Sequence, residues 1–98
     1  MSTPAPNGAA AARKDSLIEY PSPFPIKVMG AHVDGFAAAV VAVCRQFDPA
    51  LDETLLELRP SSSGNYLGVT VTITATSRAQ LDELYRTLST HPMVKVVL

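Results

Sequence analysis

The chain has 98 residues, with 8 Lys and Arg against 9 Asp and Glu and a formal net charge of −1. That length allows one domain, and a domain so short buries only roughly 60–65% of the surface its unfolded chain exposes. Large buried polar sites are therefore disfavoured, because each unpaired buried group costs about 1–3 kcal/mol. The charge balance argues against the basic face that nucleic-acid binding requires, and the basic residues, Arg13, Lys14, Lys27, Arg45, Arg59, Arg78, Arg86 and Lys95, are too scattered for a polybasic membrane anchor.

Cys44 is the single cysteine. It rules out an internal disulfide and fits a reducing compartment. The N-terminus lacks the basic-then-apolar order of a signal peptide, and no apolar run approaches the ~18–20 residues that span a bilayer. The expected location is the cytoplasm of a bacterial cell, with no membrane partner.

Residues 1–15, MSTPAPNGAAAARKD, contain no large apolar residue after Met1 and are predicted to be a disordered tail. A short Ala-rich helix over Ala9–Lys14 is the alternative, marginal at that length. Ser16–Tyr20 reads as one ordered turn leading into a domain that spans residues 16–98. Tyr20-Pro21-Ser22-Pro23 forces an extended path. From Phe24 to Gly30, Phe24, Ile26 and Val28 alternate with Pro25, Lys27 and Met29, the period of a strand with one buried face.

Val33 to Phe47 carries helical periodicity: Val33, Phe36, Ala37, Val40, Val41, Cys44 and Phe47 form one stripe, and Asp48-Pro49 stops it. Glu53 to Pro60 reads as an edge strand, since Pro60 cannot sit in a central one, with Leu56 and Leu58 inward. Ser61-Ser62-Ser63-Gly64 is turn chemistry. Asn65 to Ala75 is the clearest strand, with Val69, Val71, Ile73 and Ala75 on one face and Thr70, Thr72 and Thr74 on the other. Ser77 with Gln80 fits a capping box, opening a helix that buries Leu81, Leu84, Tyr85 and Leu88 and ends near Ser89. His91-Pro92 breaks the helix, and Met93–Leu98 is the last strand.

The order is β-α-β-β-α-β. Helices of this length must cover a face of the sheet, and with a right-handed first crossover the compact solution is an α+β ferredoxin-like sandwich. It consists of a four-stranded antiparallel sheet in the order 4-1-3-2 with two helices on one face. Tracing the strand directions brings Gly30–Asp34, Ser61–Tyr66 and Thr90–Pro92 to one end. The tail, Tyr20–Pro23 and the Leu98 carboxylate fall near the other.

Five segments, Tyr20-Pro-x-Pro-Phe24, Lys27-Val-Met-Gly30, Pro60-Ser-Ser-x-Gly-Asn-Tyr66, Leu84-Tyr85-x-x-Leu88 and Val94-x-x-Val97-Leu98, resemble the YbeD-like family of small bacterial proteins of uncharacterised function, over about Ser16 to Leu98. The resemblance implies the same ferredoxin-like fold and likeness to the ACT-type regulatory domains that bind amino acids in metabolic enzymes. Some members of the family are encoded near lipoate-attachment genes, which implies a link to lipoate metabolism. It brings no catalytic residues to carry over.

ACT-type domains bind ligands around the loop after the first strand, often where two subunits meet. In this chain that loop holds Gly30, which allows close backbone approach, His32, which can titrate or accept a hydrogen bond, and Asp34, expected in the first turn of the helix, where its charge suits the dipole and would attract an amine. Each has a plainer reading as a turn or helix-start residue. Ser61, Ser62, Gly64, Asn65 and Tyr66 form either a ligand- or partner-binding cluster of donors or a hairpin using its own side chains.

Other chemistries on this fold lack their residues. The stretch Gly64–Val71 holds one aromatic and no adjacent base-contacting Arg or Lys, against the RNA-recognition pattern. No Arg lies between Arg13 and Arg45 to hold an acyl phosphate, and no Cys-x-x-Cys can carry a metal. Cys44 sits on the buried stripe, so it reads as packing, and no nucleophile, base and orienting group stand at readable spacing. The expectation is a regulatory module binding an amino-acid-like metabolite, without cofactor or enzymatic activity. The alternative is a protein–protein adaptor acting through an edge strand or the Ser-rich hairpin. The open sheet face, with Lys27, Met29, the threonines and Lys95, and a last strand apolar on both sides, add the expectation of a homodimer.

Overall fold

A computed structural model describes residues 19–98; the N-terminal tail and the alternative Ala9–Lys14 helix lie outside them. The elements are β1 (Ser22–Ala31), α1 (Phe36–Phe47), β2 (Glu57–Pro60), β3 (Tyr66–Ala75), α2 (Arg78–Ser89) and β4 (Val94–Val97), with a 3-10 turn at Glu53–Leu55. The strands form one antiparallel sheet in the order β2-β3-β1-β4, the ferredoxin-like α+β arrangement expected from the element order.

One face of the sheet is dry. Ile26 and Val28 of β1, Val69, Val71 and Ile73 of β3, Phe36, Val40 and Cys44 of α1, and Leu84 and Leu88 of α2 are all buried. Burying each large apolar side chain stabilises the fold by about 1.5–3 kcal/mol. The alternation along β1 and β3 sends these residues to the helices and sends Lys27, Met29, Tyr66, Gly68 and the three threonines to the opposite, open face.

Side chains fasten the end of the sheet away from the loops after β1. Asp48 stops α1 with its own carboxylate, which accepts hydrogen bonds from Ala50 N (3.2 Å) and, across the molecule, from Thr74 N (2.8 Å). Ser77 caps α2, its Oγ accepting from Gln80 N at 3.0 Å. Gln80 completes a variant of the capping box, because its Oε1 accepts from Thr76 N (2.7 Å) rather than from Ser77 N. Its Nε2 donates to the carbonyls of Phe47 and Thr74. One side chain thus joins the C-terminus of α1, the end of β3 and the start of α2.

β1 is longer than Phe24–Gly30 and admits Pro23 and Pro25 into a central strand. The register explains this. Lys27 exchanges both main-chain hydrogen bonds with Leu98 (3.4 and 2.8 Å), so Lys27, Pro25 and Pro23 turn their main-chain groups away from β3. β4 ends there, leaving no partner that needs the missing N–H. For the same reason the Leu98 terminus lies midway along β1, not at the far end with Tyr20–Pro23.

Other expectations shift. α1 starts at Phe36, not Val33: the Asp34-Gly35 turn, with Gly35 at φ 87°, intervenes, and Val33 is 52% exposed. Glu53–Leu55 is a 3-10 turn rather than strand, capped by Asp52, whose carboxylate accepts from the Thr54 amide (2.9 Å) and hydroxyl (2.6 Å). The hydroxyl, then the amide, hold the Asp52 carboxyl below its ordinary range. Leu56 is half-buried before β2 begins, and Leu58 is 52% exposed, because it shares the helix-side face with Val69 but lies at the edge, beyond the cover of the helices. β4 covers Val94–Val97 only, with a register shift opposite Met29 and Gly30.

Candidate functional site

The loop after β1 and the β2–β3 hairpin meet, as the strand directions require. His32 joins them: its backbone N–H donates to Asn65 O at 2.9 Å, and its ring Nδ1 lies 3.2 Å from Gly64 O. A carbonyl can only accept, so Nδ1 carries the proton in that contact. Asp34 is exposed on the turn preceding α1, outside the helix's first turn, because Gly35 takes the cap position. No hydrogen bond restrains the Asp34 carboxylate among the described residues.

Gly30 does not belong to an accessible site. A Cβ there would stand 2.5 Å from Cε1 and 2.6 Å from Cζ of Phe36 and would meet the Met93 carbonyl oxygen. The close approach that glycine permits is used by the protein's own core. His91 at the same end is also engaged internally, its Nδ1 accepting from Met93 N at 3.1 Å.

The hairpin spends much of its polarity on itself. Ser61 N donates to Tyr66 O (2.8 Å), Gly64 N to Ser61 O (2.9 Å), Tyr66 N to Ser61 Oγ (3.1 Å) and Asn65 N to Ser63 Oγ (3.3 Å), while Gly64 takes φ 79°. Two of the three serines are therefore turn-forming groups. Ser62 and the Asn65 and Tyr66 side chains remain exposed and without hydrogen bonds among the described residues.

A second place was not singled out by the sequence. On the open face, Lys27, Glu57, Arg59 and Thr70, with Leu58, line a concavity of about 460 Å³. Lys27 of β1 and Glu57 of β2 lie opposite Thr70 of β3 from either side, and Arg59 lies opposite Gly68. The available signal is the alternation that places charged residues from β1 and β2 on the same face as Thr70.

Cys44 is fully buried, and burial pushes its thiol up to about 11, so it packs rather than reacts. Among the described residues no three His, Cys, Asp or Glu side chains gather in a metal-holding group, and no helix is long and apolar enough to cross a membrane.

The family model described as "Protein of unknown function (DUF493)" matches residues 15–98. The chain belongs to the DUF493 family. DUF493 relatives include a UPF0250 protein of Leptothrix cholodnii, 66% identical over 86 residues (88% of this chain and 94% of the relative). Another is the UPF0250 protein RSc0326 of Ralstonia nicotianae, 58% identical over 96 residues (98% and 99%). Among solved structures, the solution structure of protein HP0495 from H. pylori superimposes with a TM-score of 0.68 at 16% identity, covering 83% of this chain and 85% of that one. At that identity the likeness establishes the shared ferredoxin-like fold. The small YbeD-like bacterial family indicated by the motifs and the DUF493 match agree.

Several motif residues of this DUF493 chain are accounted for by packing. Tyr20 and Phe24 lie against the core, Gly30 makes room for Phe36, and Ser61, Ser63 and Gly64 build the hairpin. Lys27 is different: it is exposed and forms no ion pair among the described residues.

Proposed function

We propose that the chain is a non-catalytic regulatory module that binds a small, amino-acid-like metabolite and responds through the end where the β1–α1 loop meets the β2–β3 hairpin. The observation that carries this reading is the double attachment of His32 to the hairpin, through its N–H to Asn65 O and its ring to Gly64 O. Two loops tied through one residue move as a unit. The exposed side chains beside that tie, Asp34, Ser62 and Asn65, keep their hydrogen-bonding capacity for a ligand.

The β2 edge favours a ligand over strand addition. Along the outer side of β2, Leu58 directs its main-chain groups outward, Pro60 has no N–H, and Leu56 N already donates to Glu53 O. An added strand would find few donors there.

The test is an amide NMR spectrum of labelled full-length protein with and without the small-molecule fraction of a bacterial extract. Shifts in His32–Asp34 together with Ser61–Tyr66 are expected. A spectrum that small molecules leave unchanged, but an added protein fraction alters along a strand edge, overturns the reading in favour of an adaptor.

A further inference from the structure

Two histidines stand at the end where the loops converge, and their rings are bonded in opposite senses. His32 Nδ1 lies 3.2 Å from Gly64 O, a carbonyl, so the ring donates. His91 Nδ1 lies 3.1 Å from Met93 N, a main-chain amide that can only donate, so the ring accepts. While that bond exists the His91 ring is neutral and carries its proton on Nε2. Histidine is the side chain that changes charge between about pH 5 and 8, and a second proton acts differently at the two places. On His32 it goes to Nε2, the Nδ1–H remains, and the bond to Gly64 O gains charge assistance. On His91 the only nitrogen left to protonate is Nδ1, so the proton takes the lone pair that holds Met93 N.

The Met93 peptide is set between that ring and the core. Its carbonyl oxygen lies over Gly30, where a Cβ would stand, beside the Phe36 ring. The Met93 side chain packs against the core, and Val94 pairs with Gly30 where the register of β4 on β1 shifts. Two other bonds of this turn, His91 N to Leu88 O (3.1 Å) and Val94 N to His91 O (3.0 Å), join main-chain groups and do not respond to a proton. Losing the ring as acceptor therefore frees Met93 and the start of β4 without undoing the turn. No charged partner offsets the change. Glu83 and Arg86 of α2 pair with each other, the first turn of α1 is uncharged, and Lys95 of β4 and Asp34 of the β1–α1 loop are exposed. His32 is bonded to the hairpin, and His91 forms no ion pair among the described residues.

We propose that His91 is a proton-operated latch on the start of β4, closed while its ring is neutral and open once the ring takes a second proton. His32 keeps the β1–α1 loop tied to the hairpin at either charge. Acidification thus loosens one of the three segments that meet at this end and leaves the other two joined. Only the fold offers the neutral His91 ring this bond, so its contribution to stability is present on the alkaline side and is lost as pH falls. The latch is independent of what the end binds.

The experiment follows labelled full-length protein by NMR from about pH 8 to about pH 5. At the alkaline end the ring nitrogens should show the Nε2–H tautomer for His91 and the Nδ1–H tautomer for His32; the Nδ1–H tautomer at His91 would overturn the latch. As the His91 ring takes its second proton, the Met93 amide should lose about tenfold in hydrogen-exchange protection, corrected for the intrinsic effect of pH. Shifts at Val94 and Gly30 should accompany the loss, while the His32 and Val71 amides keep their protection. His91→Asn places a side-chain oxygen that accepts from the amide two residues on and does not titrate, so its Met93 protection should stay level across the range. Met93 protection unchanged while the His91 ring titrates, or a ring still neutral at about pH 5, would overturn the proposal. So would an equal loss in His91→Asn, or a loss at Met93 and His32 in step, since either would mean a general loosening with another cause.

Discussion

The ring of Phe36 occupies the volume that a side chain on Gly30 would need. With Cε1 and Cζ 2.5 and 2.6 Å from the position of a Gly30 Cβ, the two residues are complementary by subtraction. Phe36 is fully buried at the first turn of α1, so this contact sets how closely the helix approaches β1. Gly30→Ala is therefore expected to destabilise the domain by about 2 kcal/mol or more through overpacking. Urea denaturation checks this. Gly68→Ala, with ordinary contacts, should be neutral or stabilising in the same assay.

Asp48 links the end of α1 to β3 by accepting from Thr74 N at 2.8 Å. Thr74 lies beyond the reach of β2, which pairs only as far as Thr70, so its N–H depends on that carboxylate. Asp48→Ala should cost about 1–2 kcal/mol, and hydrogen exchange at the Thr74 amide should accelerate more than at Val71 in the middle of the strand.

The Tyr20 hydroxyl is buried without a hydrogen-bond partner among the described residues. A buried hydroxyl with no partner carries its desolvation cost uncompensated. Tyr20→Phe keeps the ring against the core and removes that cost, so its thermal midpoint should equal or exceed that of the parent. A drop of several degrees would mean that the hydroxyl has a partner in solution.

Cys44 gives the stability a defined alkaline limb. Its thiol is raised from about 9 to about 11 by burial in the fold. Below pH 9 the thiol is protonated in both states and the fold bears no penalty. Between about pH 9 and 11 the unfolded chain loses the proton while the folded chain keeps it, so stability falls as pH rises. Cys44→Ala should flatten this limb while lowering stability at neutral pH by a cavity cost of about 1–2 kcal/mol. A thiol reagent at pH 8 should label the native protein only at the rate of unfolding.

The elements that were readable were those whose periodicity the fold leaves undisturbed. Val69, Val71, Ile73 and Ala75 alternate cleanly because one face of β3 is buried under the helices and the other is open, and the Leu81–Leu88 stripe of α2 is set by one face meeting the sheet. The start of α1 was misplaced because Val33 continues the apolar pattern while Asp34-Gly35 turns the backbone, and periodicity alone cannot rank a left-handed glycine against an apolar side chain. The meeting of His32 with the Ser61–Tyr66 hairpin was legible from strand direction, whereas the fates of Gly30 and His91 were not, because their partners Phe36 and Met93 are chosen by packing. The open-face hollow is only faintly legible, because its residues come from three strands and meet through register rather than local sequence.

By itself the amino-acid sequence determined the element order, the dry and wet faces of the long strands, the family, and the convergence of three loops at one end. These follow from side-chain period and chain direction, which are local properties. Tertiary structure alone decided how far β4 runs along β1 and why Pro23 and Pro25 are tolerated there. It also decided that Gly30 makes room for the Phe36 ring while Gly68 lies beneath the Lys27 and Met29 side chains of the open face. Those outcomes depend on register and on what packs from across the sheet, and two glycines that look alike in sequence meet a buried ring in one case and the side chains of the open face in the other.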